Sequence, residues 1–300
     1  MLSAFAFLTA AALVAAAGYL FHLDRKYDSA VQTFDEPLAA AADPQAPRPA
    51  ADEDATTILI VGTDGQGGSG DSEELPGVPD AERADTIMLA NISSEGTEVV
   101  SILRDLWVDI PGHGEHKINA AYSRGGMPTL AETVEGLFET RIDHAAAIDL
   151  AGFTAIVERL GTVEVDSPKS FTTRDGIDIE EGPQQMDAET AEAFVRERRA
   201  FDDGDEQRAR NQQALVAGVI DSLGVSDAHQ ASGLIEDFGP HVTVDEELSS
   251  VVAAGLLIEA RPISFSTAPH TGPGVERHGQ DVLYPDYDAY TEIGAEWRAN

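Results

Sequence analysis

Residues Phe194 to Gln213 hold five of the chain's 16 arginines: Arg196, Arg198, Arg199, Arg208 and Arg210. The whole chain has 19 basic residues against 54 acidic ones and a formal net charge of −35. So local a concentration of cations in so acidic a chain points to an anionic ligand. Arginine suits phosphate, because its planar fork donates paired hydrogen bonds and stays charged. Leu215, Val219 and Leu223 recur at helical spacing, which predicts a helix from about Asp205 to Leu223. Carried backwards, the same stripe passes through Gln212 and Arg208, so two polar groups continue an inward-facing face. The ordinary alternative is that arginines near a helix end reach out to solvent. Arg196 and Arg198 point the same way only where the chain is extended, since positions i and i+2 diverge on a helix. The preceding helix, with Asp187 as its N-cap, is therefore expected to end close to Arg196.

A second group of chemical side chains lies at strand ends. Ile58-Leu59-Ile60-Val61 is a continuous apolar run of the kind that forms a fully buried strand, and Asp64 follows it. Arg83-Ala84-Asp85-Thr86 precedes a second strand, Ile87 to Ile92. A third, Thr97 to Ile102, runs into Leu103-Arg104-Asp105. The tight Ser93-Ser94-Glu95-Gly96 link should pair the second and third strands as a hairpin. Carboxylates and an arginine gathered at sheet ends can hold a divalent cation and a phosphate. A simple ion pair between Arg104 and one of the carboxylates explains the spacing equally well. Gly65 to Gly70 formally matches G-x-G-x-x-G, but Pro76 and Pro79 follow where a dinucleotide site needs a helix, and no Gly-Lys-Ser/Thr is present for a P-loop. His113, His116 and His144 have no metal-ligand spacing.

Other segments must frame these residues. Leu2 to Phe21 is uncharged and long enough to span a bilayer. Ala15-Ala16-Ala17 offers the competing reading of a cleaved leader. Arg25 and Lys26 just after the span argue, by the positive-inside rule, for a cytoplasmic carboxyl side. From Pro37 to Thr57 the Ala, Pro and Asp composition reads as a tether. The expected organisation is a membrane segment over residues 1–22, a linker over 23–56 and one folded domain over 57–300. Helices are expected over Lys117 to Gly125, Pro128 to Phe138 and Ala151 to Leu160. Strands at Ile142 to Leu150 and Thr162 to Val165 flank the last of these and suggest a crossover and some parallel pairing. Asp166 to Gln185 reads as a polar excursion. In the tail, helices are expected over Asp227 to Phe238, Glu246 to Glu259 and Tyr287 to Arg298, strands at His241 to Val244 and Ile263 to Ser266, and a loop around Gly272, Pro273 and Gly274.

Lysine occurs only at Lys26, Lys117 and Lys169. An acidic, lysine-poor surface suits solubility in concentrated salt, where screening removes self-repulsion, and reads as halophilic. Such a field repels duplex nucleic acid. The absence of cysteine excludes disulfides, thiol catalysis and cysteine zinc sites.

Taken in order, these pieces resemble the LytR–CpsA–Psr proteins. The matching segments are Ile58 to Asp64, Arg83 to Thr86, Ser101 to Asp105, Asp109 to Gly112, Lys117 to Tyr122, Asp149 to Phe153, Gly161 to Val165, Phe194 to Arg198 and Arg208 to Gln213, spread over residues 57 to 266. The resemblance implies an α/β fold, three-layered α/β/α with a mixed central sheet and a cavity for lipid. It also implies one amino-terminal anchor and an extracytoplasmic domain. That placement is opposite to the one Arg25 and Lys26 suggest. The activity implied is transfer of a glycopolymer from a polyprenyl-pyrophosphate carrier to a cell-envelope acceptor, with Mg2+ assisting. By resemblance, Asp64 and Asp85 would bind the metal, and Arg83, Arg104, Arg196, Arg198, Arg208 and Gln212 would grip the pyrophosphate. If the acidic surface marks a salt-accumulating organism, the acceptor could be a glycoprotein or another glycan instead of peptidoglycan.

The chain departs from the family pattern in three places. Leu103 stands where proline is usual. Gly65 and Gln66 stand where an arginine often follows the first aspartate. Asn211 stands at the second arginine of the last motif, with Arg210 one place early. Two other functions therefore stay open, a non-catalytic binder of polyprenyl-linked glycans and a pyrophosphatase that uses water as acceptor.

Overall fold

A computed structural model describes residues 31–41, 48–52, 54–63, 84–201, 204–223, 239–248, 262–277 and 279–299. The expected membrane segment, Asp64, Arg83, the glycine-rich stretch 65–70 and the tail helix Asp227 to Phe238 lie outside these residues, as does most of the helix expected over Glu246 to Glu259. Among the described residues no helix is long and apolar enough to cross a membrane.

In chain order the strands are β1 (Gln32–Thr33), β2 (Ala55–Thr63), β3 (Ala84–Ser93), β4 (Gly96–Ile102), β5 (Trp107–Ile110), β6 (Gly114–Lys117), β7 (His144–Asp149), β8 (Val163–Ser167), β9 (Phe171–Thr172), β10 (Asp178–Ile179), β11 (Gly182–Met186), β12 (Val242–Val244), β13 (Ile263–Thr267), β14 (His270–Arg277) and β15 (Gln280–Pro285). The helices are α1 (Asn119–Phe138), α2 (Leu150–Leu160), α3 (Ala188–Arg196), α4 (Gly204–Leu223) and α5 (Tyr287–Trp297).

A seven-stranded mixed sheet in the order β1-β12-β7-β2-β3-β4-β13 is the centre of the fold. The apolar runs read from the sequence form its middle because both faces are covered, as such runs require. Side chains alternate along each strand. Leu59 and Val61 of β2, Ile87 and Leu89 of β3, and Val100 and Ile102 of β4 join the core that holds Leu130, Val134 and Phe138 of α1 and Tyr290 and Trp297 of α5. Met88, Ala90 and Val99 face the other way, with Ile60, Ile263, Phe265 and Val216 of α4 packed against them. A smaller core joins α3 and α4 to β8 and β11, through Phe194, Leu215, Val163, Val165 and Met186.

The β3–β4 hairpin forms with the expected link, pairing Ser93 with Gly96. α1 is interrupted at Gly125 and Gly126, whose φ values are −152° and +66°. Gly126 has a positive φ that glycine adopts without a Cβ clash, so two helical pieces meet there, as the sequence predicts.

Three expectations need correction. The strand-helix-strand from β7 to β8 is not a crossover within one sheet, because β8 pairs with β11 in a separate two-stranded sheet. The parallel pairs are instead β2 with β7, β4 with β13 and β1 with β12. Alternation within a five-residue strand carries no information about which partner it takes. The polar stretch from Asp166 to Gln185 is also no simple excursion: it holds β9, β10 and most of β11, and Ile179 is buried. The stretch around Gly272 to Gly274 lies in β14, which pairs with β15 across an irregular register. Glycine and proline there accompany a break in the pairing rather than a loop.

The residues just before β2 also pack on the domain. β1 pairs with β12 at the sheet edge, and Leu38 is buried in the main core. Arg48 Nη2 lies 2.6 Å from Glu135 Oε1, and its Nε lies 3.0 Å from both Glu135 oxygens.

Candidate functional site

The site is set by how α4 is seated. Ala209 and Val216 face the two cores of the central sheet, while Ala214, Leu215 and Val219 face the smaller core. Gln213 fixes the register: its Nε2 donates to Ser101 Oγ at 2.9 Å, to Ser266 O at 2.8 Å and to Thr267 Oγ1 at 3.0 Å. Arg208 and Gln212 are thereby held over the ends of β3 and β4. Replacing Gln213 with alanine removes contacts to two strands and is expected to destabilise the fold by about 1–3 kcal/mol, measured by denaturant unfolding.

The turn before α4 positions Arg198. α3 ends at Arg196, and Glu197 is already extended. The buried Glu197 carboxylate accepts from Arg174 N at 2.6 Å and Ala200 N at 3.0 Å. A Cβ on Gly204 would meet the Arg198 carbonyl oxygen at 2.6 Å, so only glycine lets the turn close onto the helix.

Asp85, Arg104, Asp205, Arg208 and Gln212 line one cleft, which opens to solvent. Arg104 Nη1 donates to Asp85 Oδ1. Arg104 Nε lies 3.8 Å from Asp105 Oδ2, and Lys117 Nζ lies 2.9 Å from Asp105 Oδ1. Arg208 Nη2 lies 3.0 Å and Arg198 Nη1 3.5 Å from Asp205 Oδ1.

The electrostatics follow from burial and charge. Burial pulls the Arg104 guanidinium down, but Asp85 and Asp105 outweigh it and raise its pKa. Burial pushes the Asp105 carboxyl up, yet Arg104 and Lys117 hold it below the usual carboxylate range. Arg208 goes the other way. Burial, then repulsion from Arg104 and Arg198, lowers it to about 10 despite Asp205. Arg208 is thus a desolvated cation crowded by like charges, and an anion with several oxygens would relieve it.

Of the expected site residues, Asp85, Arg104, Arg208 and Gln212 share the cleft, and Arg198 reaches it through Asp205. Arg196 does not line it. Its side chain is half exposed and pairs with Glu192 Oε1 at 2.8 Å, one turn back on α3. Arg104 pairs with Asp85 and also lines the cleft. Among the described residues, no group of three or more acidic or histidine side chains is gathered to hold a metal. Asp85 is a third exposed and leaves one oxygen clear of Arg104, so it suits a cation at the cleft. Among the described residues, this cleft and a second one beside Trp297 each leave a cavity volume of only about 10 Å³, so neither forms the implied lipid cavity.

Asn211 is fully buried, donates to Phe194 O at 3.2 Å and accepts from Gln207 at 3.0 Å. It ties α3 to α4 and does not stand in for an arginine. Arg210 turns away to Gln207 and Glu206. Asp105, Asp205, Lys117 and Gln213 escaped the sequence reading. The spacing of Asp205 and Arg208 on a predicted helix was a usable signal, and so was the rarity of lysine.

The comparisons with known proteins bear on the family and the fold. The LytR_cpsA_psr family model matches residues 22–296. A polyisoprenyl-teichoic acid–peptidoglycan teichoic acid transferase TagU from Oceanobacillus iheyensis is 28% identical over 252 residues, which is 80% of this chain and 75% of that protein. The probable cell wall biosynthesis protein LcpB from Corynebacterium glutamicum is 33% identical over 70% of this chain and 55% of its own length. The TagU of Enterococcus faecalis is matched over 53% of its length, so the chain spans about half to three quarters of these relatives. Among solved structures, Bacillus subtilis TagV superposes with a TM-score of 0.67 at 21% identity, covering 82% of this chain and 97% of that one. The LytR-Csp2A-Psr enzyme from Actinomyces oris gives 0.63 at 21% identity, covering 89% and 95%. The fold is shared, and with the match over most of its length the chain belongs to the LytR_cpsA_psr family.

Proposed function

We propose that this chain is a membrane-anchored, extracytoplasmic phosphotransferase that moves a glycopolymer from a polyprenyl-pyrophosphate carrier to a cell-envelope acceptor. The observation that carries the proposal is the meeting of Arg104, Arg208 and Gln212 with Asp85 in one cleft, in a family whose relatives include proteins named polyisoprenyl-teichoic acid–peptidoglycan teichoic acid transferases. An acceptor hydroxyl attacks the phosphorus next to the sugar. A phosphodiester forms, the bond to the second phosphate breaks, and polyprenyl phosphate leaves with the electron pair. The hydroxyl proton passes to a cleft carboxylate. Arg104, Arg198 and Arg208 neutralise the charge spread over the transferring and leaving phosphates, and Gln212 donates a further hydrogen bond. Asp64 and Asp85 would hold Mg2+, whose chemistry there is charge neutralisation on phosphate oxygens. The anchor, Leu2 to Phe21, would place the cleft beside the lipid carrier, and an acidic surface would keep the domain soluble in salt.

The test is product analysis with full-length protein in detergent, a lipid-linked glycan labelled at phosphorus, and an envelope acceptor. Transfer leaves one labelled phosphate on the acceptor. Labelled phosphate on free glycan identifies the pyrophosphatase, and binding without turnover identifies the binder.

Arg208 also predicts a pH dependence. A bound anion favours its charged form, so in the window above its free pKa of about 10 the bound state holds more protons than the free state. Sulfate, which does not itself titrate there, should bind with constant affinity below pH 10 and progressively more weakly above it. Isothermal titration calorimetry across that range is the check.

A further inference from the structure

We propose that Asp205 is a built-in counter-anion that occupies the phosphate seat of the cleft and sets which anions displace it. The inference rests on reading the cleft as a pyrophosphate site. Asp205 Oδ1 lies 3.0 Å from Arg208 Nη2 and 3.5 Å from Arg198 Nη1, bridging two guanidinium groups from different elements. The same oxygen is buried and has no hydrogen bond among the described residues. An acidic residue in a helix's first turn ordinarily faces the free N–H groups or solvent. Here the oxygen is turned inward, and it makes ion-pair contacts without hydrogen-bond alignment.

That is how a placeholder behaves. It offsets the repulsion among Arg104, Arg198 and Arg208 and meets the Asp105 carboxyl, but its Oδ1 has no aligned hydrogen bond to hold it against a better acceptor. A chloride ion brings one charge and no directional acceptors, so it gains little by displacing a carboxylate. A pyrophosphate brings several charged oxygens that accept paired hydrogen bonds from the same forks. Asp205 therefore biases the cleft towards multiply charged oxyanions and against simple salt.

The test compares the full-length protein with Asp205→Asn, using inorganic pyrophosphate as ligand and chloride as competitor. Removing a like charge a few ångströms from the ligand should tighten pyrophosphate binding about tenfold or more. Chloride should also compete at lower concentration in the variant. Because the change leaves two guanidinium groups uncompensated, a thermal melt accompanies it, and added pyrophosphate should raise the variant's Tm more than the wild type's. Weaker pyrophosphate binding in the variant would overturn the inference and make Asp205 a residue that merely holds Arg208 in place. Equal binding with unchanged chloride competition would overturn it too. Absence of pyrophosphate binding in both proteins would remove the phosphate reading itself, and the inference with it.

Discussion

Arg104→Ala is expected to lower the rate of glycan transfer by about 10²–10³-fold, the usual cost of removing one preorganised donor to a developing charge. Arg104 lies two residues past the end of β4, donates to Asp85 and has its Nε 3.8 Å from Asp105. Its guanidinium is held from two sides and needs little reorganisation when a phosphate arrives. The loss should fall mainly on kcat, because the charge it meets grows in the transition state. Removing it also frees Asp85 from its ion pair, so Arg104→Lys is the better control for charge alone. Lysine keeps the cation but loses the fork, and should recover only part of the rate. Single-turnover kinetics with each variant would separate binding from chemistry.

Arg48→Ala carries the largest expected cost in stability. Glu135 is buried in α1, and its carboxylate receives Arg48 through three contacts of 3.0 Å or less, along with Ile142 N at 2.8 Å. Arg48 also donates to Ile142 O at 2.6 Å. Deleting the arginine leaves a buried charge with one backbone donor, a change that costs about 3–5 kcal/mol. Arg48 keeps some solvent contact, so the lower end is expected, near 3 kcal/mol and about 6–12 °C in Tm for a domain of this size. The double variant Arg48→Met with Glu135→Leu should recover much of the loss, because the pair's desolvation penalty disappears with it. If Arg48→Ala leaves Tm unchanged, the segment before β2 is only a tether.

That segment shows where sequence reading stops. Pro, Ala and Asp between Pro37 and Thr57 have no periodicity, so nothing local marks Leu38 and Arg48 as docked. Their partners, the main core and Glu135, lie far along the chain. The central strands were legible because Ile58 to Val61 is apolar on both faces, Ile87 to Ile92 is nearly so, and the short Ser93 to Gly96 link joins the second of these to Thr97 to Ile102. The end of α3 at Arg196 was also legible, as was the inward face of α4 at Arg208. The orientation of Arg196 was not, because its choice between Glu192 and the cleft depends on the geometry of the last helical turn. The pairing of β8 with β11 could not be read either, since short strands carry no address. Among the site residues, charge concentration found the arginines. The carboxylates that answer them, Asp105 and Asp205, were hidden among 54 acidic residues.

The most direct measurement is the equilibrium affinity of the full-length protein for a polyprenyl pyrophosphate, compared with Arg208→Met, with the fold of both checked by circular dichroism. Methionine fills the buried volume and removes the charge. If the cleft at the ends of β3 and β4 seats the pyrophosphate, Kd should rise by about tenfold or more, the loss of a charge-assisted hydrogen-bonded contact. An unchanged Kd in a folded variant would contradict the account, because the ligand would then sit elsewhere on the protein.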